Sequence, residues 1–171
     1  MTVGVSDELV ARAARCLDLA RNKGVTFAFA ESLTGGLIAA TFTAVPGASD
    51  VVVGGVVAYA TRLKAQLLGV DVLLLDRVGA VDQEVAAQMA RGAAVRLGAD
   101  IGVSCTGVAG PDPQDGHAPG TVLVALHHGG GPDVVRSFSA EGDRSSVRLA
   151  TVAAAIDLLH SHLTGSGGEP G

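Results

Sequence analysis

The sequence predicts an α/β fold, a three-layer α/β/α sandwich on a mixed, mostly parallel sheet. Three observations carry this. Short apolar runs rich in β-branched residues alternate with longer segments whose apolar residues recur at helical spacing. Strands that are apolar throughout are buried on both faces, so helices must cover both sides of the sheet. Hydrophobic residues make up 48% of the chain and charged residues 17%, with aromatics at 3% and no tryptophan. The core is therefore expected to be Val, Leu, Ala and Ile, with small residues letting helices lie close on the sheet.

The elements follow in order. Ser6 or Asp7 caps a first helix carrying Leu9, Val10, Ala13, Ala14, Leu17 and Ala20, and Asn22-Lys23-Gly24 stops it. The run from Val25 to Ala30 reads as a buried strand. It is followed by Glu31, Ser32, Leu33, Thr34, Gly35 and Gly36, then by a helix to about Val45, ended by Pro46-Gly47. Val51 to Tyr59 reads as a central strand interrupted by Gly54-Gly55, where another backbone or a ligand comes close. Thr61 caps a short helix bearing Lys64, Leu67 and Leu68, and Asp71 to Arg77 forms another short helical turn. Asp82 caps a longer helix with Val85, Ala86, Met89, Ala93 and Leu97 on one face. Ile101 to Cys105 is a strand opening into a loop from Thr106 to Pro119. Thr121 to His127 and Val134 to Ala140 are two strands paired antiparallel through Gly129 to Asp133. Asp143 starts the last helix. The expected domain is residues 1–163, with 164–171 a disordered tail.

Composition narrows the partners. At 171 residues the chain fits one domain. Its net charge is -5 and no basic stripe is present, which argues against nucleic acid. No basic segment leading an apolar core stands at the N-terminus, and no apolar run is long enough to span a bilayer. The expectation is a cytoplasmic protein with no membrane association. Cys16 and Cys105 lack metal-ligand spacing and fit reduced thiols. His127, His128, His160 and His162 read as surface residues, and Asp112 and Asp115 as solvated loop carboxylates. No metal and no cofactor is expected.

The chemistry concentrates after strand ends. Ser32 sits in a tight turn at a helix N-terminus. It is either a cap or a nucleophile with turn amides facing an oxyanion. Lys64 lies between apolar neighbours, where burial favours the neutral form a base needs; a lysine taken alone is most often solvated or snorkelling. Tyr59 would orient that lysine or pack as a half-buried ring. Thr106 would hold or relay a proton, with its loop amides, Gly107 among them, lining the oxyanion site. Arg144 would pair with a substrate anion such as a phosphate. If these strands run parallel, their ends share the edge where α/β proteins place ligands. Together the residues make sense as a serine–lysine hydrolase.

The motifs AESLTGG, VPGAS, GGVVAYATRLKAQLLGV, GAV, LGADIGVSCTGVAGP, PGTV and EGDR occur in that order across most of the chain. In this it resembles the C-terminal domain of the competence-damage-inducible protein (CinA) family, in its stand-alone form. That family includes deamidases that convert nicotinamide mononucleotide to nicotinate mononucleotide and ammonia in pyridine nucleotide salvage. The resemblance implies an α/β/α fold, a homodimer, a small-molecule nucleotide substrate and no metal. It implies Ser32 as nucleophile, Lys64 as general base, Tyr59 and Thr106 as supporting catalytic positions, and substrate contacts from Thr34, Gly35, Gly36, Gly107 and Arg144. Leu33 stands where many relatives have cysteine, a change of packing. The alternative is a non-catalytic nucleotide- or partner-binding module associated with competence or DNA repair.

Overall fold

The computed structural model describes residues 4–166. Helix α1 (Asp7–Lys23) is capped by the Ser6 hydroxyl, which accepts from Leu9 N, and closed by left-handed Gly24. Such an N-cap contributes about 1 kcal/mol. Strand β1 (Phe27–Glu31) is buried along its whole length. Helix α2 (Leu37–Thr43) ends two residues before the expected Val45, and a single 3-10 turn (Ala48–Asp50) leads into β2 (Val52–Val57). Helix α3 (Thr61–Leu68) has Ala60, not Thr61, as its N-cap. Asp71 caps α4 (Val72–Val78), and Asp82 caps α5 (Gln83–Leu97). Strand β3 (Ile101–Gly107) carries Thr106 and Gly107, which the sequence reading put in the loop. Strands β4 (Thr121–His128) and β5 (Val134–Ser139) precede α6 (Arg144–Thr164), capped by Asp143.

The sheet order is β2-β1-β3-β4-β5. Strand β1 pairs parallel with β2 and β3, while β4 is antiparallel to both β3 and β5. Four strands thus run one way and β4 the other, as expected of a mixed, mostly parallel sheet. One expectation is corrected: β2 is an edge strand, not a central one. It has a single neighbour, and its residues alternate between half-buried and exposed. Its apolar content reflects packing on one face only. The β1–β2 register shifts beside Gly54, with Phe27 opposite Val52 and Ala28 opposite Gly54, while a Cβ on Gly55 would meet those of Ala39 and Phe29 at ordinary contact, 3.4 and 3.5 Å.

The two faces of the sheet differ in grain. Helices α1, α2 and α6 cover Phe27, Phe29, Ile101, Val103, Val124 and Leu126, and Phe27, Phe29 and Phe42 stack edge-on and tilted with ring centroids 5.0–5.8 Å apart. The face under α5 is built from small residues. A Cβ on Gly102 would fall 1.8 Å from the Ala90 carbonyl oxygen, and one on Gly92 2.1 Å from that of Leu68. Helix α5 therefore rests on bare backbone, and α3 rests on α5.

Two further expectations change. Helix α6 continues through Thr164 and is closed by left-handed Gly165, so the expected tail starts too early; residues 167–171 of that tail lie outside the described residues. Residues 1–3, part of the segment read for a leader, lie outside them too. The histidines at the far end of the sheet are not simply solvated. His127 Nδ1 lies 2.7 Å from Asp133, and His128 Nδ1 lies 2.9 Å from His162 Nε2. No described helix is long and apolar enough to cross a membrane.

Candidate active site

Because β1, β2 and β3 are parallel, their C-terminal ends meet at one edge of the sheet. Ser32 follows β1, Ala58 and Tyr59 follow β2, and Thr106 is the last residue but one of β3. Helix α3 then turns back over this edge and delivers Lys64. The lysine is wholly buried. Its Nζ donates to Ser32 Oγ at 3.0 Å and to the Ala58 carbonyl oxygen at 2.8 Å. Both partners are neutral, and Lys64 forms no salt bridge with a carboxylate among the described residues. Burial lowers its pKa from the ordinary 10.5 to about 8, against an opposing pull from Cys105 and Asp115. The amine is thus placed on the hydroxyl and eased toward its free-base form. Cys105 is no rival nucleophile, because burial, reinforced by the charge of Glu31, pushes its thiol up to about 12.

The turn after Ser32 is built differently from the sequence expectation. Glu31 is buried, and its carboxylate accepts from Thr34 Oγ1 at 2.6 Å, from the amides of Gly36 and Ile38 at 3.0 Å, and from that of Ala39 at 2.8 Å. The Gly35 amide donates to the Ser32 carbonyl oxygen. The α2 N-terminus, expected to face a developing oxyanion, is already satisfied by the chain's own acid. Thr34 is fully buried, with its hydroxyl on Glu31 and 3.0 Å from Cys105 Sγ. Thr34, Gly35 and Gly36 do not line the cavity beside Ser32; the Thr34 hydroxyl and the Gly36 amide are bound to Glu31, while Gly35 stands exposed. Left-handed Gly36, φ 98°, opens α2 in a backbone conformation that residues with side chains rarely adopt.

That cavity, of about 100 Å³, is lined by Ser32, Tyr59, Ala80, Asp112, Gln114 and Arg144, together with Leu33 and the 106–110 segment. Thr106 donates its hydroxyl proton to the Ala80 carbonyl oxygen at 2.7 Å, so it is committed to a backbone acceptor and makes no bond to Lys64. Tyr59 does not orient Lys64 either. Its exposed hydroxyl accepts from Arg144 at 2.7 Å, and Arg144 also donates to the Gly110 carbonyl oxygen at 2.9 Å. The structure thus brings Ser32, Tyr59, Thr106, Gly107 and Arg144 to one cavity, with Lys64 directly behind Ser32. The amides of Ala109 and Gly110 make no protein hydrogen bond among the described residues. A larger groove, about 640 Å³, runs along α5 and the β4–β5 hairpin without touching Ser32 or Lys64.

Sequence reading missed Arg148. One turn along α6 from Arg144, it donates from Nε to the Leu33 carbonyl oxygen at 3.1 Å and from an Nη to that of Thr34 at 2.7 Å. The i, i+4 spacing of the two arginines was the available signal, since it puts both on one helix face. Among the described residues, no group of three or more His, Cys, Asp or Glu is placed to hold a metal ion.

Comparison with known proteins follows the same lines. Residues 10–163 match the family model of the CinA C-terminal domain. A CinA-like protein of Frankia casuarinae is 48% identical over 151 residues, covering 87% of this chain and 34% of the relative. A putative competence-damage inducible protein of Bacillus subtilis is 44% identical over 128 residues, covering 75% and 30%. The chain spans about a third of the length of the curated relatives it matches. Among solved structures, a competence/damage inducible protein of Agrobacterium tumefaciens superposes with a TM-score of 0.88 at 34% identity, over 96% of this chain and 99% of that one. A CinA superfamily protein of Escherichia coli gives 0.87 at 28% identity, over 93% and 94%.

Proposed function

The chain belongs to the CinA C-terminal domain family, and from that premise we propose that it is a cytoplasmic amidohydrolase that deamidates nicotinamide mononucleotide to nicotinate mononucleotide and ammonia in pyridine nucleotide salvage. The observation that carries the proposal is the 3.0 Å bond between the buried Lys64 Nζ and Ser32 Oγ, made by a lysine with no carboxylate partner among the described residues.

In its free-base form the amine has two N–H bonds and one lone pair. The Ala58 carbonyl oxygen takes one N–H, which turns the lone pair toward the Ser32 hydroxyl. Ser32 Oγ attacks the carboxamide carbon as its proton passes to Lys64. The tetrahedral oxyanion is received by the Ala109 and Gly110 amides, the unengaged donors of the 106–110 segment. Lys64 returns the proton to the departing nitrogen, ammonia leaves, and an acyl ester on Ser32 remains. Water, deprotonated by Lys64, then hydrolyses that ester. With a pKa of about 8, roughly one lysine in ten is free base at pH 7, where an ordinary lysine would offer fewer than about one in a thousand. Arg144 stands at the cavity mouth to receive the phosphate. A cavity of about 100 Å³ fits the carboxamide end, leaving the ribose and phosphate along the mouth. A homodimer is the expected working form.

The test is ammonia release from nicotinamide mononucleotide by the purified protein, with Ser32→Ala beside it. Release by the parent and none by the variant supports the reading. An active Ser32→Ala protein sinks the mechanism, and a folded but inactive parent turns attention to the binding module.

A further inference from the structure

Asp115 has no place in the mechanism above, and solvation was its expected fate. Instead its carboxylate accepts from the Ala80 amide at 3.0 Å, although its own backbone is left-handed at φ 49°, a conformation that non-glycine residues avoid. Its seat is shaped for it. Gly79 lies at φ 77°, ψ -163°, a region essentially reserved to glycine, and a Cβ there would come within 2.7 Å of the Asp115 carboxylate. The tethered backbone continues to the site, because the Ala80 carbonyl oxygen accepts the Thr106 hydroxyl at 2.7 Å and Ala80 lines the cavity beside Ser32. The loop that Asp115 belongs to supplies Asp112 and Gln114 to the same cavity. It is closed at its tip by paired backbone bonds between Gln114 and His117.

We propose that Asp115 is a positioning residue of this site, which latches the 111–119 loop onto Ala80 and so fixes the cavity wall formed by Ala80, Asp112 and Gln114. The proposal rests on the amidohydrolase reading only for its effect on turnover. The groups that act electrostatically on Lys64 are the Cys105 thiol, behind it on β3, and the Asp115 carboxylate, on the loop. Burial keeps that thiol neutral through the working range, so Asp115 is the charge that counts. A carboxylate favours the ammonium form, and its removal shifts Lys64 toward the free base.

The chain has two lysines, Lys23 and Lys64, so lysine labelled with 13C at Cε gives two resonances, with Lys23 as the internal reference. Asp115→Asn keeps an oxygen for the Ala80 amide and loses the charge. In that variant the Lys64 midpoint is expected to fall by about half a pH unit, the scale of one carboxylate acting across a hydrated pocket. Lys23 stays fixed and Ala80 amide exchange is unchanged. Asp115→Ala loses both features: the midpoint falls likewise, and Ala80 amide exchange accelerates at least about tenfold as the local opening becomes easier. Gly79→Ala unseats the latch while keeping the charge, and accelerates the same amide should Asp115→Ala fold poorly. If ammonia is released, Asp115→Ala raises KM more than it lowers kcat, and Asp115→Asn moves the acidic limb of the kcat profile to lower pH. An unmoved Lys64 resonance in Asp115→Asn, or unchanged Ala80 exchange in both unlatched variants, overturns the proposal. Neither readout needs the substrate, so a protein inactive on nicotinamide mononucleotide still answers the question.

Discussion

Two charged side chains are buried at the same edge of the sheet, and they are furnished in opposite ways. Glu31 closes β1 with four donors around its carboxylate, one hydroxyl and three amides. Lys64, one strand and one helix further on, has two neutral acceptors and no counter-ion among the described residues. The first arrangement completes a helix terminus and holds the turn rigid. The second leaves the charged state underpaid in solvation, so the proton is easily given up. A buried charge with a full set of partners is architecture, whereas one held short of a counter-ion is available for proton transfer.

This contrast can be broken from either side. The largest effect is expected at the reactive pair: Ser32→Ala and Lys64→Ala each lower ammonia release by at least about 1,000-fold while circular dichroism reports an unchanged fold. Next comes Glu31→Gln, which turns an acceptor into a donor facing backbone N–H groups. Unfolding in urea should show a loss of about 3 kcal/mol, the mark of a structural charge. Lys64→Met should do the reverse. It removes an ammonium whose burial is costly and gains about 1–2 kcal/mol at pH 7, with turnover lost.

The sign for Lys64 follows from linkage. Between about 8 and the ordinary 10.5 the unfolded chain holds the Lys64 proton and the folded chain does not, so the parent gains stability as pH rises. The advantage of Lys64→Met is therefore full below about 8 and fades toward 10.5. A melting-temperature difference that does not change with pH contradicts the shifted lysine. Below that range kcat of the parent is expected to rise with pH, levelling off above about 8.

The smallest effect sharpens the contrast. Arg148 completes the other half of the Ser32 turn by binding the carbonyl oxygens of Leu33 and Thr34, as Glu31 binds its amides. Arg148→Lys keeps the charge but not the fork, and is expected to lower kcat about tenfold, with KM nearly unchanged. A change confined to KM would assign Arg148 to substrate instead.

Much of this was legible in the sequence. The strand and helix order and the caps at Ser6, Asp82 and Asp143 follow from periodicity and turn chemistry, and the edge shared by Ser32, Tyr59 and Thr106 follows once β1, β2 and β3 run parallel, which the structure supplies. What was hidden depends on long-range pairing. The edge position of β2 could not be read, because an apolar run looks alike with one neighbour or two. Glu31 stood in the motif without a role, since its donors arrive only once the Gly35-Gly36 turn brings α2 back over it. Asp115 and Arg148 lie 35 and more than 100 positions from the backbone groups they bind, and no local pattern links such pairs. The Thr34 hydroxyl and the Gly36 amide, expected toward substrate, are held by Glu31 for the same reason that Glu31 went unread: the helix terminus had already found its acid.

Tyr59 is the only tyrosine in a chain without tryptophan, and its ring stands at the cavity mouth with its hydroxyl on Arg144. The protein's near-ultraviolet emission therefore comes from that one place. Any molecule that stacks on the ring or draws Arg144 away changes the whole signal, with no background from the rest of the fold. Occupancy of the site can thus be followed by light from the unlabelled protein, even in variants that turn nothing over.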